Sequence, residues 1–243
     1  MNFRVEWFDQ LSSTNAHVRE RFLSGEAIES GWVAAAREQT AGRGRQGRTW
    51  LSAPGRDLCC SIFVATDAEL AAIPSLTMAV ALAVTDVLNN RGIPADPKWP
   101  NDVRVGGKKI CGILSEGVER AAAPSTGVIV GIGLNVNMSE DDAATIDQPA
   151  TSICIETGRR DDVGGVLESL FAPLGYWLGE WDAGGFARLR ETWTEKAGPI
   201  GAPLTVREGG VTKSGALAGF GEYGELKLRT GAGIETIWSG DLT

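Results

Sequence analysis

The chain has 243 residues, 43% of them hydrophobic, which is enough to bury the core of one large domain with a small appendage. Lysine and arginine total 23 against 31 aspartates and glutamates, so the formal net charge is −8. Generic nucleic-acid-binding proteins usually carry a basic surface, and this balance disfavours that class. The single histidine disfavours a Ser-His-Asp triad and a zinc site, so any required metal is expected to be magnesium held by oxygen atoms.

Cysteine spacing and hydropathy indicate the compartment. Cys59, Cys60, Cys111 and Cys154 show no Cys-x-x-Cys spacing, and we interpret them as reduced core residues. The N-terminus has no signal-peptide pattern, and the longest apolar run, residues 71–84, is expected to be too short to span a bilayer. The sequence therefore predicts a cytoplasmic protein that makes no contact with a membrane.

The N-terminal pattern predicts a strand, a helix and a second strand. Residues 5–8 favour a short strand, and residues 12–15, Ser-Ser-Thr-Asn, offer N-caps for a helix that runs to Leu23. His17 falls inside this helix and is interpreted as structural. The apolar residues 32–36 predict the second strand.

A loop rich in glycine and arginine follows this strand. Residues 42–50 read Gly-Arg-Gly-Arg-Gln-Gly-Arg-Thr-Trp, and ordering so many glycines costs much conformational entropy, so the loop should be mobile until a ligand orders it. Its three guanidinium groups can bind phosphate or carboxylate oxygens as forks. The alternative is loose contact with nucleic acid, but local positive charge in an acidic chain favours a small phosphorylated ligand.

The middle of the chain predicts the remainder of one sheet and its helices. A Gly-Gly pair, residues 106–107, readily forms the tight turn of a hairpin, and two glycines at 131 and 133 lie on one face of a buried strand. Glycine inside a strand is typical of close approach by another chain or a ligand. The hydrophobic spacing predicts strands over residues 58–65, 103–105, 108–116 and 127–137, and helices over 73–88, 162–181 and 185–196.

The pattern changes near Gly198, where short apolar runs separated by glycines begin. This texture predicts a small all-β domain, and its length suits a five-stranded barrel. We therefore expect two domains, residues 1–197 and 198–243.

Four further segments make the glycine–arginine loop specific. They are residues 12–15, the single residue Gln39, residues 98–102 (Lys-Trp-Pro-Asn-Asp) and residues 109–114 (Lys-Ile-Cys-Gly-Ile-Leu). Together with residues 131–135 (Gly-Ile-Gly-Leu-Asn), and in this order, they resemble the biotin protein ligase family, also called biotin–acetyl-CoA-carboxylase ligase. The resemblance extends from about Phe3 to the C-terminus.

This resemblance implies both a fold and a reaction. The implied fold is α+β, a mixed β-sheet with helices like the class II aminoacyl-tRNA synthetases, followed by a small barrel of the Src-homology-3 type. The implied reaction uses ATP to convert biotin to biotinyl-5′-AMP with release of pyrophosphate. The biotinyl group then passes to a lysine of a biotin carboxyl carrier protein, a domain of acetyl-CoA or acyl-CoA carboxylase. Positioning and fixed positive charge are expected to carry most of the catalysis.

Lys109, Arg45 and Asp102 are the catalytic candidates. An ammonium at Lys109, between the biotin carboxylate and the α-phosphate, would reduce their repulsion, whereas its neighbour Lys108 points to the opposite face of the strand and is expected to be solvated. Asp102 is the candidate that guides the proton of the incoming lysine; the alternative is that it only holds its turn. For Lys109 the alternative is an ordinary exposed strand lysine.

The family resemblance also assigns the binding residues. The loop would be a lid that excludes water from the adenylate. For biotin the implied residues are Ser13, Thr14, Asn15, Gln39, Arg43, Gly44, Arg45, Lys109, Gly112, Gly131 and Gly133, with the three strand glycines giving the flat ligand room. For ATP and the adenylate they are Arg43, Arg45, Arg48, Trp50, Asn101, Lys109 and Asn135.

Three of these assignments have alternatives. Asn15 is either a hydrogen-bonding residue of the helix start or a ligand contact. Trp50 either covers adenine or belongs to the core. Asn137 lies two residues beyond Asn135 on the same predicted strand face, so either of them can face the nucleotide.

The resemblance carries expectations about partners as well. ATP and Mg²⁺ are the expected cofactors, with the metal carried mainly by the ATP phosphates. Many bacterial relatives have an N-terminal DNA-binding domain, but the first predicted strand begins within a few residues of Met1, so we expect no autonomous repressor function. The protein is expected to be a monomer or a homodimer. The alternatives are a lipoate or octanoyl ligase of the same fold, or a non-catalytic effector binder.

Overall fold

A seven-stranded mixed sheet forms the centre of the computed structural model, which describes residues 1–119 and 126–242. Three neighbouring strands of this sheet, residues 32–39, 58–65 and 126–134, are rich in small and branched residues, and residues 58–64 are all buried. In spatial order the strands are β1 (Arg4–Leu11), β2 (Trp32–Gln39), β3 (Leu58–Ala65), β7 (Thr126–Leu134), β6 (Lys108–Glu119), β5 (Asp102–Val105) and β4 (Ala95–Lys98). β1 and β2 are parallel, and every other neighbouring pair is antiparallel.

Helices cover both faces of this sheet. On one face, Val18 and Phe22 of α1 pack against β2, β3 and β7. On the other, α2 lies between the sheet and α5, and the Trp181 indole donates to Ser75 Oγ at 2.8 Å. The helices are α1 (Thr14–Leu23), α2 (Ile73–Asn90), α3 (Glu140–Ala143), α4 (Ile153–Thr157), α5 (Val163–Gly184) and α6 (Arg190–Ala197).

The apolar run at residues 71–84, which was expected to be too short to span a bilayer, belongs to a longer helical segment. Leu70–Asn90 is helical over enough apolar residues, with a mean hydropathy of 1.8, to cross a membrane by length and composition alone. Within the apolar window of that segment, 67% is nevertheless buried inside the protein. Its contacts with the sheet and α5 account for its hydrophobicity, because it is a core helix.

A second, antiparallel sheet follows α6. Its five strands, in spatial order, are β11 (Gly233–Ile237), β10 (Leu226–Thr230), β9 (Val211–Phe220), β8 (Pro203–Glu208) and β12 (Asp241–Leu242). Two hydrogen bonds, from the last residue of β4 and from the residue after it, attach this sheet to the first one. The Trp99 indole donates to Gly224 O at 3.0 Å, and Lys98 Nζ donates to Leu242 O.

The mixed sheet, its helices and the second β-sheet confirm the expected fold class, but the end of β7 differs from the prediction. β7 stops at Leu134, and Asn135 and Asn137 follow it in irregular backbone. The expectation that both asparagines continue one strand face is therefore wrong. The predicted helix over 185–196 also divides into a 3₁₀ turn, Gly185–Arg188, and α6.

His17 and the cysteines behave as structural residues. The His17 ring meets Phe8 edge-on with centroids 4.6 Å apart, and Trp32 lies on its other side at 6.2 Å. Burial lowers the pKa of His17, with Arg21 adding to the effect. All four cysteines are free thiols, and only Cys154 is not fully buried.

Candidate functional site

One cavity of about 340 Å³ opens where α1, the glycine–arginine loop and the strands β6 and β7 meet. Every side chain or glycine assigned to the site from the sequence lines it. They lie far apart in the sequence but meet here because β2 and β7 end, and β6 begins, at the same edge of the sheet, next to the N-terminus of α1. The cavity thus brings these residues together.

Lys109 and Asp102 form an ion pair in the cavity wall. Lys109 Nζ lies 2.7 Å from Asp102 Oδ1, and the two side chains are only 14% and 17% exposed. The β5–β6 hairpin positions them, since a bulge between Val103 and Arg104 sets Lys109 opposite Arg104. Lys108 is exposed on the other face of β6, as alternation predicts. An ammonium with a fixed partner is therefore held at the edge of the cavity.

The arginines of the loop are each held by a different element. Arg43 Nη2 lies 3.6 Å from Glu116 Oε2 on β6, and Arg45 Nη1 donates to Asn101 Oδ1 at 3.1 Å. Burial lowers the pKa of the Arg45 guanidinium, which nevertheless remains a cation at neutral pH. The loop therefore carries positive charge into the cavity without an acidic partner directly on Arg45.

Arg48 connects the loop to the second sheet. Its Nη2 donates to both carboxylate oxygens of Asp241 on β12, at 2.7 and 2.8 Å. This hydrogen bonding raises the pKa of Arg48. Gln46, which lies between Arg45 and Arg48 in the loop, adopts the left-handed backbone region with a φ of 54°. Arg48 thus pairs with a carboxylate while its side chain stays about half exposed, 48%.

Trp50 packs closely against two of the strand glycines. A Cβ atom on Gly133 would stand 2.3 Å from Trp50 Cε2, and one on Gly112 would stand 2.9 Å from Trp50 Cζ3. The Trp50 indole N–H is buried and has no partner among the described residues. Lys109 Nζ is 5.6 Å from the ring centroid, within reach of a cation–π contact. The two glycines were predicted to make room for a ligand; here they accommodate this tryptophan.

A chain of buried polar groups closes the other end of the cavity. Thr14 N–H donates to Gln39 Oε1 at 2.8 Å, and Ser13 caps α1 by accepting from Ala16 N–H at 3.5 Å. Asn15 is 4% exposed, and its Nδ2 donates to Glu116 Oε2 at 2.7 Å. Its carboxamide lies over the third glycine, since a Cβ on Gly131 would stand 2.3 Å from Asn15 Oδ1.

The three asparagines that follow the strands have separate environments. Asn135 lines the cavity and donates to Thr151 O at 2.9 Å, whereas Asn137 does not line it and binds the Asp161 backbone through both ends of its carboxamide. Asn101 is fixed by Nδ2 donation to Ile113 O at 2.8 Å. Of the two candidates after β7, Asn135 is the one at the cavity.

Sequence reasoning missed one whole wall of the cavity. Residues 145–148 and Ala150 line it, and Ala150 forms a parallel bridge with Lys109. Asp241 of the second sheet lines it as well. No motif marks these residues. Hydrogen bonds from Lys109 N–H to Pro149 O, from Thr151 N–H to Lys109 O and from Asn135 Nδ2 to Thr151 O hold the segment there.

The described residues contain no ready-made metal centre. Within 1–119 and 126–242, no group of three or more His, Cys, Asp or Glu side chains is arranged to hold an ion. Four cations and three carboxylates line the cavity instead: Arg43, Arg45, Arg48, Lys109, Asp102, Asp147 and Asp241. This set favours an anionic ligand, with any Mg²⁺ brought by that ligand.

Solved biotin protein ligases share this fold. The biotin protein ligase from Aquifex aeolicus in complex with biotin and ATP superposes with a TM-score of 0.81 at 29% identity, over 98% of this chain and 97% of that one. At 19% identity and a TM-score of 0.66, the Helicobacter pylori biotin acetyl coenzyme A carboxylase synthetase shares the fold.

Sequence comparison gives the family. Residues 7–135 match the model of the Biotin/lipoate A/B protein ligase family. The chain is 35% identical over 235 residues to the biotin–[acetyl-CoA-carboxylase] ligase of Paracoccus denitrificans, covering 94% of this chain and 95% of that protein. It is 34% identical over 236 residues to the bifunctional ligase/repressor BirA of Bacillus spizizenii, covering 96% and 72%. The chain therefore belongs to the biotin protein ligase family, and it is a ligase.

Proposed function

We propose that this protein is an ATP-dependent biotin–protein ligase. It first joins the biotin carboxylate to the α-phosphate of ATP, forming biotinyl-5′-AMP and releasing pyrophosphate, and then transfers the biotinyl group to a lysine. The observation that carries the proposal is the Lys109–Asp102 pair beside the Arg45 guanidinium, in a cavity whose far end is a buried polar network.

The first step needs two anions to be held together. Biotin has a neutral ureido ring at one end and a carboxylate at the other, and the cavity has a matching neutral polar end and a cationic end. Lys109 and Arg45 would counter the charge that builds on the phosphoryl oxygens as the carboxylate attacks. Attack breaks the bond between the α-phosphorus and the bridging oxygen, and pyrophosphate leaves. A Mg²⁺ ion carried by the ATP phosphates would neutralise part of that charge.

The second step needs an uncharged amine. A carrier lysine arrives as an ammonium and must lose its proton before it attacks the mixed anhydride. The Asp102 carboxylate, only 17% exposed and 2.7 Å from Lys109, is the acceptor we assign to that proton. The amine then forms an amide with the biotinyl carbonyl, and AMP leaves.

In this proposal the loop protects the intermediate between the two steps. Arg45 and Arg48 bind Asn101 and Asp241 of the cavity lining, and we expect the loop held in this way to keep water from the adenylate. The loop has to open again for the carrier lysine, and its glycines permit that movement.

The proposed partner is a biotin carboxyl carrier domain, as the names of the Paracoccus denitrificans and Mycobacterium tuberculosis relatives suggest. We place the reaction in the cytoplasm. DNA binding is not part of the proposal, because the net charge is −8.

The test is to incubate the protein with biotin, ATP and Mg²⁺ and to measure pyrophosphate and biotinyl-AMP. Both should form, and a carrier domain should then become biotinylated on one lysine. Lipoate replaces biotin in a parallel reaction, because the matched family includes lipoate ligases by name. Turnover with lipoate and none with biotin would overturn the proposal.

A further inference from the structure

A buried carboxylate immediately before β3 takes no part in the proposed chemistry. Asp57 is 4% exposed and does not line the cavity. Among the described residues no lysine or arginine forms an ion pair with it, and the neighbouring Arg56 turns to Asp142 instead, at 3.0 Å. Because an unpaired carboxylate is costly to bury, other groups have to hold Asp57 in place.

Backbone N–H groups hold this carboxylate. Its Oδ1 accepts from Val136 N–H at 2.9 Å and from Asn137 N–H at 3.2 Å. Burial raises the pKa of Asp57, and the hydrogen bonds from the backbone of Val136, Ala53 and Asn137 oppose that rise. The side chain therefore serves as an acceptor for the segment that follows β7.

That segment needs an acceptor because the strand pairing ends just before it. β7 pairs with β3 and β6 as far as Leu134. Val136 is 0% exposed, and its N–H has no second acceptor among the described residues, whereas Asn137 N–H also reaches Arg56 O at 3.1 Å. Removing the carboxylate would therefore leave a buried N–H without a partner, directly after Asn135.

Asn135 is the side chain that this segment presents to the cavity. Its backbone N–H donates to Ile110 O at 2.9 Å, and its Nδ2 donates to Thr151 O at 2.9 Å. Its Oδ1 accepts no hydrogen bond from the part of the chain that the structure describes, so it can accept from an N–H or O–H of a ligand. The place of that oxygen depends on the backbone that Asp57 fixes at the next residue.

We infer that Asp57 is a positioning residue for the nucleotide and acts through Asn135. It touches no substrate, and its carboxylate fixes the turn after β7 so that Asn135 Oδ1 meets a donor of the adenosine. This inference rests on the proposed function and on Asn135 as a residue of the ATP site. No hydrogen bond joins Asp57 to the buried polar network of Thr14 and Gln39, so biotin binding should depend on it much less.

The experiment measures pyrophosphate release in two variants of Asp57. Asp57→Leu removes the acceptor, whereas Asp57→Asn keeps an oxygen that can take its place. The KM for ATP should rise about tenfold or more in Asp57→Leu, while the KM for biotin stays within about twofold. In Asp57→Asn the KM for ATP should return to within about threefold of the value for the unsubstituted protein, and a variant as impaired as Asp57→Leu would overturn the inference.

Asp86→Leu is the matched control. Asp86 is a carboxylate that also joins two elements, because it accepts from the Trp177 indole at 2.7 Å, but it lies between α2 and α5 and does not line the cavity. The control should change neither KM value, even if it lowers the thermal unfolding temperature.

A double-mutant cycle tests the route through Asn135. Asn135→Ala alone should raise the KM for ATP, and adding Asp57→Leu should then raise it by less than about twofold, because the side chain that Asp57 positions is gone. Two independent effects that multiply would overturn the inference. If Asp57→Leu loses its thermal unfolding transition, Asp57→Ser is measured in both backgrounds with the same expectations, because its shorter side chain does not reach both N–H groups.

Two failures remain distinguishable. An unchanged KM for ATP in Asp57→Leu, or an equal rise in both KM values, would overturn the inference while leaving the reaction as proposed. Absence of pyrophosphate from biotin and ATP in the unsubstituted protein would instead overturn the proposed function.

Discussion

Replacing Lys109 by alanine is the most direct test of the cationic wall. The Nζ–Oδ1 distance of 2.7 Å corresponds to a gross attraction of about 6 kcal/mol at an effective dielectric constant of about 20, before desolvation is subtracted. Both side chains are less than a fifth exposed, 14% and 17%, so solvent screens the pair little. The substitution therefore removes a preorganised charge and also leaves Asp102 without its main partner.

Two effects of different size should follow. Loss of one fixed charge at a developing negative centre typically costs about 10²–10³ in kcat, so adenylate formation should fall by that factor. The free energy of unfolding should fall by about 1–3 kcal/mol, less than for a fully buried pair, because Arg104 remains 3.8 Å from Asp102.

The assay is pyrophosphate release in a single turnover at saturating biotin and ATP, with thermal unfolding measured on the same samples. Lys108→Ala is the control, since Lys108 is exposed on the opposite face of β6 and should change neither quantity. A loss of less than tenfold in Lys109→Ala would remove Lys109 from the reaction as described.

Three further predictions concern the loop, the glycine face and pH. Arg45→Gly removes the bond to Asn101, so the loop should loosen and release adenylate; mass spectrometry should find biotin on unrelated lysines of added albumin, and full retention of the intermediate contradicts this. Gly133→Ala would place a methyl group 2.3 Å from Trp50 and should weaken biotin binding at least tenfold by calorimetry, and unchanged affinity would show that the indole moves freely. Burial lowers the pKa of Lys98 to about 8, so between pH 8 and about 10.4 the unfolded chain binds more protons and the free energy of unfolding should rise with pH. Urea unfolding of Lys98→Met should lack that rise, and parallel pH curves for the two proteins would refute the cause.

Local signals in the sequence predicted the elements well. The serine-rich start of α1 and the Gly-Gly turn of the β5–β6 hairpin are decided by neighbouring residues, and β3 is found at its predicted limits, Leu58–Ala65. Hydrophobic periodicity and capping act over a few residues, so a sequence reveals them. The same patterns failed at the end of β7, because an apolar run continues through Val136 after the strand pairing stops.

Tertiary contacts were beyond such reasoning. The strand glycines were recognised as sites of close approach, but the groups that approach Gly131 and Gly133, Asn15 and Trp50, are distant in the sequence.

The attachment of β12 to both the loop and β4 has a consequence for biosynthesis. Asp241 binds Arg48, and the adjacent Leu242 accepts from Lys98, so one edge of the cavity is contributed by residues synthesised about two hundred positions after the loop they hold. A nascent chain that has already folded its first sheet would still lack this contact. We therefore expect that edge of the cavity to hold the loop less firmly until β12 has been synthesised and has paired with β8.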